Sequence, residues 1–256
     1  MDIIIPTYGR SNQQETLRQL TDCGIKPFLV VQEREWEAHE GYAGDATVII
    51  LPREIQTIAP TRQWILENVG DSDHFCMLDD DLTFYIRRDD DPTKLRDIKP
   101  EELENAFWDM RGYLMKATIG HVGFAAREGA NRDTSGTLWN TRIMRVLGYD
   151  RKILTDNNIR FDRMEVMEDF DVALQLLEAG FDNLVLNNYA HNQKGSGAAG
   201  GCSHFRTPAL HAANAAKLAA LHPRYVTVVE KTTKGSFGGG TRTDVRIAWK
   251  KARLGA

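Results

Sequence analysis

The chain has 256 residues, 42% hydrophobic and 27% charged, with a net charge of −4 at pH 7. That length and apolar content suffice for one large α/β domain or two small ones and exclude a chain disordered throughout. No apolar run reaches the roughly 20 residues of a membrane span, and Ile3-Ile4-Ile5 follows Met1-Asp2 with no basic leader, so a soluble, cytoplasmic protein is expected.

Cys23, Cys76 and Cys202 stand far apart with no C-x-x-C spacing, which argues against a disulfide framework and against a structural zinc site. The charge is uneven. Residues 224–256 carry eight Lys/Arg against two Asp/Glu, a basic end on an acidic body, and this points to an anionic partner.

In chain order, residues 2–6 read as a short apolar strand, 13–22 as a polar-faced helix, 27–32 as a second strand and 47–51 as a third, rich in β-branched residues. This is the βαβ rhythm of a parallel sheet. Pro60 opens a helix through 62–67, which leads over Gly70 into the strand His74-Phe75-Cys76-Met77-Leu78. Residues 87–100, charged and carrying Pro92 and Pro100, read as a loop between two halves. The helix 101–116 follows, with Leu103, Phe107, Met110 and Leu114 at helical spacing. A strand over 122–125 comes next; 140–147 fits either strand or helix; 170–179 is a helix closed by Gly180, and 184–186 a strand. Residues 194–201 form a Gly-rich loop, 208–221 an Ala-rich helix, 226–229 a strand and 237–240 a second Gly-rich break.

The most telling feature is Asp79-Asp80-Asp81 at the end of a buried-type strand. Three adjacent carboxylates repel one another and lose hydration there, and a hard divalent cation offsets both costs. If the strand's alternation continues, Asp79 and Asp81 share one side and Asp80 takes the other, an Asp-x-Asp pair able to hold Mg²⁺ or Mn²⁺ and leave positions for a diphosphate. A solvated acidic turn is the competing reading. The strand-turn Ile3-Ile4-Ile5-Pro6-Thr7-Tyr8-Gly9-Arg10 brings Thr7, Tyr8 and Arg10 to the carboxyl end of a parallel strand, where open α/β sheets bind ligands. Glu168-Asp169 heads the helix over 170–179; simple capping accounts for it, and so does a general base kept ionised by the helix dipole. His191 precedes the Gly-rich loop and can complete a metal shell with Asp81 or be merely structural, and Lys194 in that loop can offset a diphosphate's charge.

The order Pro-Thr-x-Gly-Arg, Asp-Asp-Asp, Glu-Asp opening a helix, then His resembles the GT-A glycosyltransferases over roughly residues 1–205. Within them, Pro6-Thr7-Tyr8-Gly9-Arg10 and Leu78-Asp79-Asp80-Asp81-Leu82 look like the DNA-base glycosyltransferases associated with TET/JBP dioxygenases, a family with phage members acting on 5-hydroxymethylpyrimidines. The resemblance implies one Rossmann-like GT-A domain over 1–223, with a mostly parallel central sheet flanked by helices, a nucleotide half at 1–86, an acceptor half at 100–205, and the basic segment 224–256 after it.

It further implies Asp79 and Asp81 flanking a metal-diphosphate, Asp81 as a direct ligand of Mn²⁺ or Mg²⁺, and His191 as the second; the triplet also allows a register that uses Asp80. Asp169 would be the base, with Glu168 its rival, Pro6, Thr7, Tyr8 and Arg10 would border the nucleotide of a UDP-sugar, and Arg62 would lie near its pyrophosphate or uracil. The expected acceptor is a 5-hydroxymethylcytosine or 5-hydroxymethyluracil in DNA, extruded from the stack. Trp139, Tyr149, Phe205 and Trp249 are aromatics available for stacking, though core roles also suit them, and Lys231, Lys234, Arg242, Arg246, Lys250, Lys251 and Arg253 could follow the phosphates. Two other readings stand beside this one: transfer to a polysaccharide, lipid or protein hydroxyl, and a non-catalytic nucleic-acid-binding module with a structural Ca²⁺.

Overall fold

A computed structural model describes residues 1–130, 133–193, 207–233 and 240–255. The strands are β1 (Asp2–Pro6), β2 (Phe28–Gln32), β3 (Thr47–Leu51), β4 (His74–Leu78), β5 (Leu82–Arg87), β6 (Leu95–Asp97), β7 (Ile119–Ala126), β8 (Thr137–Trp139), β9 (Val146–Asp150), β10 (Asp182–Gln193), β11 (Val226–Thr233) and β12 (Gly240–Ile247). The helices are α1 (Glu15–Asp22), α2 (Trp36–Glu40), α3 (Ile58–Asn68), α4 (Pro100–Leu114), α5 (Arg127–Ala130), α6 (Arg151–Asp156), α7 (Glu168–Glu178), α8 (Pro208–Leu221) and α9 (Trp249–Leu254).

Ten of these strands form one sheet in the order β3-β2-β1-β4-β9-β7-β10-β5-β6, with β8 also paired to β10. β3, β2, β1 and β4 run parallel, β7 and β10 run parallel to each other, and β9, β5 and β8 run against their neighbours. The sheet is therefore mixed, with its central strands mostly parallel. Its two faces explain the unbroken apolar strands, because alternate side chains enter separate cores. Ile3 and Ile5 join Leu17 and Leu20 of α1 and Phe107 and Met110 of α4 on one face. Ile4 joins Ile65 of α3, Leu154 of α6 and Leu176 of α7 on the other. Each such fully buried side chain contributes about 1.5–3 kcal/mol.

A third cluster joins Met167, Phe170, Leu174 and Leu177 of α7 to Leu218 of α8, Tyr225, Val226, Val245 and Ala252. The basic end is thus a built unit, a β11–β12 hairpin with α8 and α9, and its core spans the expected boundary at 223/224. Residues 87–100 contain the short β6 hairpinned to β5, and of the segment 140–147 only Val146 and Leu147 are strand, opening β9, while 140–145 is irregular. β10 is much longer than the strand expected at 184–186. Its start pairs with β8 and its end with β5 along one edge, while β7 lines the other. Among the described residues, no helix is long and apolar enough to cross a membrane.

Candidate active site

β1 and β4 are adjacent and parallel, so the chain leaves both at the same edge and brings Thr7 and Arg10 against the Asp79–Asp81 turn. Thr7 Oγ1 donates to Asp80 Oδ2 at 2.5 Å, and Arg10 Nη1 donates to Asp80 Oδ1 at 2.6 Å and Asp81 Oδ2 at 2.7 Å. Gln193, at the end of β10, adds a hydrogen bond to Asp81 Oδ2 at 2.8 Å. Thr16 of α1 pins the turn: its hydroxyl donates to the Asp79 carbonyl and accepts from the Leu82 amide. Gln14 holds the β1 loop through Thr7 Oγ1 and the Arg10 carbonyl. The expected alternation of the three aspartates does not occur. The strand stops at Leu78, and in the turn that follows Asp80 and Asp81 converge on one guanidinium while Asp79 faces another.

That other guanidinium belongs to Arg62 on α3. It is 6% exposed, pairs with Glu168 Oε1 at 2.5 Å and reaches Asp79 Oδ1 at 3.4 Å. Burial weakens its hold on the proton, but Glu168 and Asp79 outweigh that and raise its pKa. Expected near the pyrophosphate or uracil, Arg62 is enclosed and ties the aspartate turn to the head of α7 through these two carboxylates. Asp79 keeps 31% of its side chain open, yet the protein atoms around it push its carboxyl up to about 6, against the pull of Arg62. Burial also raises Asp80, opposed by Thr7 and Arg10.

The two acids at the head of α7 are now distinguishable. Glu168 is 4% exposed and held by Arg62, whereas Asp169 is half-buried and uses one oxygen to accept from the Phe170 amide at 3.0 Å. Met167, just before them, has φ 67°, a left-handed conformation that a non-glycine residue adopts only at a cost, of the kind concentrated at functional sites.

His191 lies inside β10, paired on both sides, and not after a strand as expected. It is buried, which with Arg145 pushes its pKa down to about 3. The Met144 carbonyl is near, but neither ring nitrogen makes a hydrogen bond of good geometry. Among the described residues, Asp81 Oδ1 is likewise buried and without a hydrogen bond. His191 and Gln193 share a face of β10, and Gln193 reaches Asp81. An orphan carboxylate oxygen and a neutral imidazole are donors that fit Mn²⁺ or Mg²⁺. Among the described residues, no three His, Cys, Asp or Glu side chains already close into a metal cluster.

On the β2 side, Glu35 accepts from the Gly9 amide at 2.9 Å, and Arg34 donates to the Tyr8 hydroxyl at 2.6 Å while lying over its ring. Arg145, at φ 65°, accepts the Asp79 amide with its carbonyl at 3.1 Å, which fastens the segment before β9 to the aspartate turn. Sequence reasoning missed Gln14, Thr16, Glu35, Gln193, Arg142 and Arg145. Only the two arginines left a signal, a cationic pair in a stretch with no clear period.

Among the basic residues, Lys231 and Arg242 both pair with Asp244, at 3.2 and 2.8 Å, and Arg253 pairs with Asp182 at 2.8 Å. Arg246, Lys250 and Lys251 are exposed. Tyr149 is buried, stacked on His121 with ring centroids 4.2 Å apart, so it belongs to the core. Trp249 meets Phe170 edge-on, and Trp139 is 42% exposed. Lys194, Lys234 and Phe205, with the loop 194–201, lie outside the described residues.

A profile of the TET-associated glycosyltransferase family matches residues 1–201. This chain belongs to that family. The family member is 26% identical over 220 residues to the beta-glucosyl-HMC-alpha-glucosyl-transferase of Enterobacteria phage T6, covering 82% of this chain and 77% of that protein. The enzyme of the same name from phage T2 matches equally. Among solved structures, the mannosyltransferase PcManGT from Pyrobaculum calidifontis, in complex with GDP-Man and Mn²⁺, superposes with a TM-score of 0.59 at 12% identity. That match covers 87% of this chain and 64% of PcManGT, less than two thirds of its length, and it speaks to the fold. The chain is a glycosyltransferase of GT-A fold, and the reading as a non-catalytic binding module falls.

Proposed function

We propose that this glycosyltransferase moves a sugar from a UDP-sugar to the hydroxymethyl group of 5-hydroxymethylcytosine or 5-hydroxymethyluracil in DNA, with inversion and with Asp169 as the base. The observation that carries this reading is the Arg62 bridge, which links Asp79 to Glu168 and leaves Asp169 as the accessible acid at the head of α7. Pro6, Thr7, Tyr8 and Arg10 border the nucleotide, with Arg34 and Glu35 behind Tyr8 and Gly9. Asp81 and His191 would hold Mn²⁺ or Mg²⁺, with Asp79 or Asp80 beside them. When bound, the ion offsets the negative charge that builds on the departing diphosphate. Asp169 takes the acceptor proton as that oxygen attacks the anomeric carbon and the bond to UDP breaks.

The name of the phage T6 relative favours one variant of the acceptor, a glucose already attached to hydroxymethylcytosine. Transfer to a polysaccharide, lipid or protein hydroxyl gains no comparable support. Incubation of the protein with UDP-sugars and DNA containing hydroxymethylcytosine, hydroxymethyluracil or glucosylated hydroxymethylcytosine is expected to give a metal-dependent mass increase on the base. Asp169→Asn lowers the rate roughly 10²–10⁴-fold while donor binding persists. No mass change with any sugar nucleotide overturns the proposal, and the anomeric configuration of the product decides inversion.

A further inference from the structure

The segment between β8 and β9 places a cation over Phe170, the residue that follows Asp169. Its anchor is Ile143, buried against Gly123, where any larger residue would collide with it. Flanking that anchor are Arg142 and Arg145, and only Arg145 is fastened to the aspartate turn. The Arg142 guanidinium lies 4.6 Å from the centre of the Phe170 ring, and Phe170 directly follows Asp169. Protein atoms crowding one side lower its pKa; Asp169 and Asp244 draw on its charge, and Arg145 and Arg242 oppose them. The residue nonetheless keeps exposed surface. Among the described residues, Arg142 makes no hydrogen bond and no ion pair.

A guanidinium stacked on an aromatic ring keeps its in-plane N–H donors free, and the ring restricts the side chain before any ligand arrives. Planar donors of this kind match phosphate oxygens two at a time. The donor's diphosphate is assigned above to the Asp79–Asp81 turn, which Arg145 borders, whereas Arg142 lies over Phe170, the residue after the proposed base. We propose that Arg142 binds the phosphodiester next to the modified nucleotide and so presents the acceptor hydroxyl to Asp169. Arg142 is a positioning residue in this role, and the inference rests on the DNA-acceptor reading above.

The test compares kcat/KM for a short duplex carrying 5-hydroxymethylcytosine with that for the free 5-hydroxymethyl-2′-deoxycytidine nucleoside. In Arg142→Ala the duplex-to-nucleoside ratio falls about tenfold, and the slope of log affinity for the duplex against log salt becomes shallower by about 0.9, one phosphate contact. Arg142→Lys, which keeps the charge, retains the slope and loses part of the ratio. An unchanged ratio, whether both rates fall together or neither does, overturns the proposal and leaves Arg142 acting on Asp169 or on nothing. The same ratio is taken with hydroxymethyluracil or glucosylated hydroxymethylcytosine where that is the base the protein modifies; should the wild-type protein transfer sugar to none of the three, the DNA reading itself fails and takes this inference with it. Transfer to the duplex with an unchanged ratio in Arg142→Ala sinks the inference alone.

Discussion

Two arginines neutralise the carboxylates of this site in different ways. Arg10 sits on the turn after β1, its guanidinium between Asp80 and Asp81, with Thr7 and Gln193 completing the set. Arg62 sits within α3, enclosed, with Glu168 on one side and Asp79 on the other and its Nε without a partner. A cation on a turn, paired only with the carboxylates of one neighbouring turn, can give way to another cation. One buried inside a helix and serving two distant elements cannot, because removing either member strands a charge away from water. Arg10 thus neutralises the aspartate turn locally, and Arg62 is part of the scaffold.

The largest effect should follow from breaking the scaffold side. Arg62→Met removes the guanidinium that neutralises the buried Glu168, and urea unfolding is expected to show a loss of about 3–5 kcal/mol, much of it recovered in Arg62→Met/Glu168→Leu. A single variant as stable as wild type would erase the contrast. His121 lies below this cluster, stacked on Tyr149, with burial and then Arg62 holding its pKa down to about 4. A depressed histidine pKa means protonation favours the unfolded chain, so this contribution is complete above about pH 6.5 and is lost as pH falls toward 4, by up to about 3 kcal/mol. His121→Gln should flatten stability against pH across that window, and an unaltered profile would remove His121 from the account. The smallest effect belongs to Arg10→Met, a loss of about 2 kcal/mol for its charge-assisted hydrogen bonds. Added Mn²⁺ should raise the melting temperature of this variant more than that of wild type, and should not rescue Arg62→Met. Equal shifts in both variants would mean that the two clusters are alike.

Periodicity and local chemistry made the parallel strands, the helix over 101–116 and the acidic triplet legible, since each depends on neighbours in sequence. Glu168 and Asp169 were visible as a pair, but dividing their roles needed Arg62, 106 residues from Glu168. The Asp79/Asp81 alternation assumed that the strand continued, and a turn begins there instead. β12 was missed because its Thr, Arg, Asp and Val alternation followed a Gly-rich break and was read as a charged end. His191 was legible as an isolated histidine, but its place inside a long strand depends on β5 and β7 pairing either side of it. The cis pairing of Lys231 and Arg242 with Asp244 depends on a hairpin register that no local pattern reports.

The apolar cluster on the outer side of α7 bears on how such enzymes can be recombined. The family match ends at residue 201, but Met167, Phe170, Leu174 and Leu177 find their partners beyond it. A chimera that keeps 1–201 and borrows another relative's C-terminal unit would have to carry α8, β11, β12 and α9 together and refit them to that one helix. The modular joint lies along a packed seam on α7, so swapping the C-terminal unit also resets how Glu168 and Asp169 are mounted.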